Sequence, residues 1–307
     1  MIPALKRLLV QQDPTLASSR VDLIKLHNGV GFRNPKVSFV VFVNDEPRAF
    51  LKSVRFPADN GIVDHAHEGL GRASAVASDI QPSARIPNAS WVASNGAHRV
   101  CAETLLAGRP LDRSNADEKA KAFAWLDAFA VKNKGSEMNA ADVRLVLETL
   151  LKDMKSVDLQ FLAEVRQTFE KALVIAGGDA LQLPHVPAHG DFTPANLLID
   201  GGGSLGIIDW DRYGDITMPL FDLLTFLERT TLKGQDLFVT GKEAIMRQTS
   251  ALGIDLRTVP LLTLFYSLMS DWRKRERMFP WEPEEYDRYT LAMVRSQFAD
   301  AMDAFAP

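Results

Sequence analysis

Three side chains lying close together in the sequence have the chemistry that phosphoryl transfer requires. Asp191 and Asn196 fall in Ala188-His189-Gly190-Asp191-Phe192-Thr193-Pro194-Ala195-Asn196-Leu197-Leu198, and Asp209 follows in Ile207-Ile208-Asp209-Trp210-Asp211. Moving a phosphoryl group needs a residue to orient the attacking hydroxyl, and hard oxygen ligands to hold magnesium against the nucleotide phosphates. Magnesium keeps much of its small octahedral shell as water and phosphate oxygen, so Asn196 with Asp209 is a sufficient protein contribution.

These residues need an element that brings them together. Between Asn196 and Asp209 the chain reads Leu-Leu-Ile-Asp-Gly-Gly-Gly-Ser-Leu-Gly-Ile-Ile, two short apolar runs around a glycine turn. That pattern predicts a β-hairpin returning Asp209 toward the loop that carries Asp191 and Asn196. The whole segment resembles the catalytic core of the aminoglycoside phosphotransferase and choline kinase group, relatives of the protein kinases. There an HGD-x4-N loop precedes a hairpin and an IDW or IDF strand, and the spacing from Asp191 to Asn196 is that of the protein-kinase catalytic loop.

The resemblance implies an α+β, bilobal protein kinase-like fold with a β-rich N-terminal lobe and a mainly helical C-terminal lobe. It also implies ATP and Mg as cofactors and a small-molecule hydroxyl as acceptor. By it Asp191 is the catalytic base, Asn196 and Asp209 are metal ligands, and His189 supports the loop. Asp222, which opens an apolar run in the downstream Pro219-Leu220-Phe221-Asp222-Leu223-Leu224, is expected to cap a helix.

Composition sets wider bounds. The chain has 307 residues, 46% hydrophobic and 24% charged, enough for one bilobal unit or two modest domains. A formal net charge of -4 gives no reason to expect nucleic acid as a partner. The single cysteine, Cys101, excludes an intramolecular disulfide framework and a multi-cysteine zinc site. The sequence shows neither a signal-peptide pattern at its start nor an apolar run of membrane-spanning length, so a cytoplasmic location without membrane association is expected.

A kinase-like reading requires a nucleotide lobe, expected over residues 1–105, with the helical lobe over 106–307. Val37 to Val43 is rich in β-branched and aromatic residues, and the turn cluster Asn44-Asp45-Glu46-Pro47 leads into Arg48 to Val54, a hairpin with Lys52 on its second strand. Alternation puts Lys52 on the face of Phe50 and Val54, where its ammonium needs an anionic partner. Glu68, in the first turn of a helix predicted over 64–76, is the candidate partner. The alternative is a snorkelling lysine and an exposed glutamate. Gly29 and Gly31, upstream, are candidates for a phosphate-approaching loop, although a plain turn explains them equally well. A second hairpin over 90–102 runs into Glu103-Thr104-Leu105-Leu106-Ala107-Gly108-Arg109-Pro110-Leu111, which resembles the family's connection between lobes. Glu103 and Leu105 are therefore placed at the adenine, through their extended backbone rather than their side chains.

From Asp117 onward the apolar spacing turns helical, most clearly over 139–154, where Val143, Val146, Leu147, Leu150, Leu151 and Met154 form one stripe. Helices are also expected over 117–131, 159–174, 221–227, 242–246, 259–269 and 286–305. The charged run Asp271-Trp272-Arg273-Lys274-Arg275-Glu276-Arg277 has two readings: a solvated helix end, or the lining of an acceptor site for something anionic or for a sugar. The second opposes a polycationic aminoglycoside.

The expected activity is phosphorylation of a small-molecule hydroxyl, on a sugar, an amino alcohol or a cell-envelope precursor. The alternatives are a non-catalytic kinase-like module that binds nucleotide or protein, and an aminoglycoside antibiotic kinase. A protein kinase is disfavoured because His-Gly-Asp replaces His-Arg-Asp and neither an Asp-Phe-Gly nor an Ala-Pro-Glu segment is present.

Overall fold

The structure is a computed structural model that describes residues 2–26, 35–80, 83–154, 158–277 and 283–305. The chain folds into two compact units. The first combines Met1–Leu111 with Ala195–Tyr213, and the second combines Asp112–Pro194 with Gly214–Pro307. The hairpin that follows Asn196 thus belongs to the first unit, although it is late in sequence.

The first unit opens with α1 (Ile2–Gln12), then β1 (Val21–Lys25), β2 (Lys36–Val43), β3 (Glu46–Val54), α2 (Asn60–Ala77), β4 (Ala89–Asn95), β5 (His98–Thr104) and β6 (Arg109–Pro110). Five strands pair antiparallel in the order β1-β2-β3-β5-β4. The β2–β3 turn is the two residues Asn44 and Asp45, both with positive φ (51° and 67°), the backbone that a tight hairpin of this twist demands and that Asn and Asp tolerate. Glu46 and Pro47, expected in the turn, are already in β3, next to an irregularity in the ladder at Val41/Phe42. A bulge of this kind is one of the few strand settings that accept a proline.

The two faces of this sheet differ. Val37, Phe39, Val41 and Val43 alternate along β2 and bury against Leu5, Leu8 and Leu9 of α1, together with Leu51, Val100 and Ala102. The intervening positions point to the opposite face, so Lys36 and Ser38 of β2, Phe50 and Lys52 of β3, and Cys101 and Glu103 of β5 share it. Register makes them neighbours: Ser38 pairs with Lys52, Lys52 with Cys101, and Phe50 with Glu103. Lys36, Ser38, Lys52 and Glu103 thus share one face because the other phase of these strands packs into the core.

The first unit is completed by β9 (Leu197–Ile199) and β10 (Leu205–Ile207), a hairpin whose free edge takes β6. Asp200 closes its turn by accepting from the N–H groups of Gly202 and Ser204. Gly108, just before β6, has φ 153°, and a Cβ there would lie 3.0 Å from both the Ile199 carbonyl oxygen and the Leu198 Cβ.

The second unit is mainly helical: α3 (Ala116–Lys132), α4 (Ala140–Asp153), α5 (Leu159–Ile175), α6 (Phe221–Thr230), α7 (Leu237–Leu252), α8 (Val259–Arg277) and α9 (Pro283–Phe305), with β7 (Glu137–Asn139) and β8 (Gln182–Pro184) pairing as a small ribbon. Asn115, Asn139, Asp158 and Asp236 cap α3, α4, α5 and α7 through side-chain acceptors, with a complete capping box at Asn139. The core of this unit contains an aromatic cluster. Trp125 stacks on Phe129 at 4.6 Å and on Phe192 at 5.9 Å, and Phe226 meets Phe192 edge-on. No single helix among the described residues is long and apolar enough to cross a membrane.

Gly108→Ala places a side chain against the backbone of β9 at a φ that disfavours one. We expect it to lower stability by about 1–3 kcal/mol, read as a shift in the urea midpoint at unchanged m-value.

Candidate active site

The first unit contains a cavity of about 400 Å³. Leu26, Phe50, Leu105, Leu106, Leu198 and Ile208 supply apolar wall, and Lys36, Lys52, Glu103, Asn196, Asp209 and Asp211 supply polar groups. An apolar cleft with a few convergent polar groups is the usual form of a small-molecule site.

Lys52 is only 5% exposed and donates to two carboxylates, Glu103 Oε2 at 2.8 Å and Asp211 Oδ1 at 2.7 Å. Burial opposes its charge, but Asp211, Glu103 and Asp209 outweigh that and hold its pKa well above the ordinary lysine value. Burial likewise works to raise Asp211, yet the ammonium groups of Lys52 and Lys36 win and keep it well below the usual carboxylate range. For Glu103 burial prevails and its pKa is raised. Cys101, cross-strand from Lys52, is pushed up to about 12 by burial and stays a thiol.

This geometry corrects two expectations. Glu68 is exposed on α2 and is not the partner of Lys52. That role falls to Glu103, which the β3–β5 register places diagonally across from Lys52 on the same face, and to Asp211. Glu103 in turn contributes its carboxylate and not merely extended backbone. Leu105 lines the cavity. Gly29 and Gly31 lie outside the described residues.

Asn196 and Asp209 both line the cavity, and the Ile208 N–H donates to the Asn196 carbonyl oxygen at 3.0 Å, tying the two ends of the hairpin together. Asp209 has φ 63°, a left-handed conformation uncommon for a residue with a side chain. Trp210 beside it is buried, and its indole N–H donates to the Ile207 carbonyl oxygen, so the core fixes the backbone that bends here. Among the described residues no group of three or more His, Cys, Asp or Glu could by itself hold a metal ion. An amide oxygen and a carboxylate opening into one cavity nonetheless fit magnesium, which completes its shell with water and phosphate oxygen.

Asp191 belongs to the second unit. The loop that carries it is held from both sides. Phe192 is fully buried in the aromatic stack, and His189, also fully buried, meets its ring edge-on at 5.9 Å. Asp222 accepts from the His189 N–H at 2.6 Å and the Gly190 N–H at 2.9 Å, one on each carboxylate oxygen, while the Asp191 N–H donates to His189 Nδ1 at 3.2 Å. Gly190 has φ 84°, which explains glycine between His189 and Asp191. Asp222 therefore does not cap α6 as expected. It sits in the first turn, Leu220 occupies the cap position, and the carboxylate is spent on the loop.

Arg273 was one of four cations left between a solvated face and an acceptor site. It is buried, lies over the Phe221 ring, and brings Nη2 to 3.7 Å from Asp191 Oδ1. Arg275 is structural: it pairs with Asp271 at 2.6 Å and Asp287 at 2.8 Å, both fully buried. Lys274 lies over Tyr289.

Four site residues escaped the sequence reading: Lys36, Asp211, Asp222 and, in its contact with Asp191, Arg273. Only Lys36 carried a usable signal, since it shares with Ser38 the polar phase of a strand whose other phase is Val37, Phe39, Val41 and Val43. The others depend on contacts remote in sequence.

The family model described as Phosphotransferase enzyme family (APH) matches residues 47–246, and the chain belongs to that family. Its fold is the kinase-like fold of solved phosphotransferases at low identity. A thermostable mutant of aminoglycoside phosphotransferase APH(4)-Ia, in ternary complex with ADP and hygromycin B, aligns with TM-score 0.63 and 13% identity over 97% of this chain and 98% of that one. Macrolide 2'-phosphotransferase MphH from Brachybacterium faecium gives 0.57 and 16%, over 99% and 98%. No curated protein matches the chain by sequence.

Asp222→Asn turns one of two backbone acceptors into a donor facing an N–H. We expect a loss of about 1–3 kcal/mol in stability, measured by equilibrium denaturation.

Proposed function

We propose that this chain is an ATP- and magnesium-dependent phosphotransferase that acts on a hydroxyl of a small molecule: a sugar, an amino alcohol or a cell-envelope precursor. The observation that carries the proposal is the convergence of Lys52, Asn196 and Asp209 on one apolar-walled cavity. Lys52 binds the nucleotide phosphates from a position that Glu103 and Asp211 fix. Asn196 and Asp209 would hold magnesium, which supplies charge neutralisation at the phosphates when bound. The apolar wall, with Leu105 in it, suits an adenine ring. ADP in the APH(4)-Ia complex supports this use of the cleft.

Asp191 accepts the proton of the attacking hydroxyl and orients its lone pair, and its partly exposed carboxylate, 27% accessible, suits that task. The first unit in this reading is the nucleotide-binding lobe, and the second carries the base. An ATP-consuming enzyme of this kind works in the cytoplasm. Arg273 sets a positive charge beside the base. That favours neutral or anionic acceptors over the polycationic aminoglycosides bound by some structural neighbours.

Asp191→Asn is expected to reduce turnover at least a thousandfold while Mg-ATP binding stays within about twofold; unchanged turnover would remove Asp191 as the base. Asp209→Ala is expected to weaken magnesium-dependent nucleotide binding in calorimetry, and a titration identical to wild type would exclude Asp209 from the metal site. A coupled ATP-consumption screen over sugars, amino alcohols, hydroxy acids and aminoglycosides identifies the acceptor.

A further inference from the structure

The cavity holds a second lysine that the reaction as described leaves unused. Lys36 opens β2, on the same face as Ser38, and Ser38 pairs with Lys52 across the β2–β3 ladder. Lys36 is thus a diagonal neighbour of Lys52, close enough for two long side chains to meet at one point. They do so on Asp211: Lys36 Nζ lies 2.5 Å from Oδ2 and Lys52 Nζ 2.7 Å from Oδ1. One carboxylate spaces two ammonium groups at the same end of the cavity.

Their surroundings divide the work. Lys52 is enclosed by Glu103 as well as Asp211, and its side chain is 6% exposed; that of Lys36 is 23% exposed. Glu103 and Asp211 face the two ammonium groups from within the unit, and the oxygens of a polyphosphate are charge-assisted acceptors for both lysines. Both line the cavity where the proposed function seats such an anion. Neither the Asn196 amide nor the Asp209 carboxylate, the polar groups proposed for the metal, competes for this role, because an ammonium and a metal cation need different places on a polyphosphate.

We propose that Lys36 is a second phosphate-binding residue, acting with Lys52 as a two-lysine clamp on the polyphosphate of the nucleotide, with Asp211 as the strut that sets their spacing. This rests on the nucleotide reading of the cavity and adds a residue to it. In this arrangement Asp211 serves the lysines, and the metal is left to Asn196 and Asp209. The clamp acts on phosphate charge, so its contribution grows from adenosine through AMP to ADP.

The test is calorimetric titration of wild type, Lys36→Met and Lys36→Arg with ADP, AMP and adenosine, in magnesium and again in EDTA. Lys36→Met is expected to weaken ADP roughly tenfold to hundredfold, the value of a charge-assisted contact, and AMP less, with adenosine within about twofold. Lys36→Arg is expected to recover at least half of the lost logarithmic affinity. The ADP loss persists in EDTA, which separates the lysine from the metal site. Retained adenosine binding also shows that the variant is folded. ADP binding by Lys36→Met equal to wild type, or an equal loss for ADP and adenosine, would overturn the clamp. A wild type that binds no ADP under either condition would instead remove the nucleotide reading beneath it.

Discussion

The structure of the first unit is governed by the requirement that a buried ammonium be paired. Lys52 sits in the middle of a sheet, only 5% exposed, and an unpaired charge so deeply buried costs several kcal/mol. The chain meets this with two carboxylates from distant segments: Glu103 from the neighbouring strand and Asp211 from beyond the late hairpin. For both to arrive, β3 must pair with β5 in one register, and β9 and β10 must fold back onto the sheet-bearing unit. The sheet order and the return of residues 195–213 to the first unit are parts of one electrostatic solution.

Packing supplies the other half of that arrangement. The core under α1 takes Val37, Phe39, Val41 and Val43 of β2, Leu51 of β3, and Val100 and Ala102 of β5. A shift of one residue in any of these strands would expose its apolar set and bury its polar set, so the hydrophobic face fixes the phase of the functional one. Lys36, Lys52 and Glu103 hold their places because burial of their sequence neighbours leaves no alternative.

This explains what could be read from the sequence and what could not. The two N-terminal hairpins, the hairpin before Asp209 and helices such as α3 and α4 rest on local patterns and turn residues, whereas α1, β1 and the β7–β8 ribbon are not among the predicted elements and α7 (Leu237–Leu252) extends well beyond the predicted 242–246. The Asp191, Asn196 and Asp209 set was visible because its members lie within nineteen positions of one another. The partner of Lys52 was not, because cross-strand pairing is a long-range choice that periodicity does not encode. Glu68 was favoured for its place on the next helix, whereas the nearer anion in space was a residue read only for its backbone. A carboxylate in a first turn usually serves its own helix, so the sequence presents Asp222 as a cap; here the loop at His189 and Gly190 claims it. The run at 271–277 is compatible by its charge with a solvated end or an acceptor lining, yet Arg275 pairs with the buried Asp271 and Asp287 and Arg273 lies against Asp191, contacts that composition conceals.

Phe192 follows Asp191 directly, stacks on Trp125 and is met edge-on by Phe226 in the interior of the second unit. The proposed base is therefore suspended from the hydrophobic core by a single peptide link. Because that stack is fully buried, it gives way only with the unit as a whole, so heat inactivation would run together with the melting of the second unit. A search for thermotolerant variants would accordingly find its gains in α3 and α6, among residues that never touch nucleotide or acceptor.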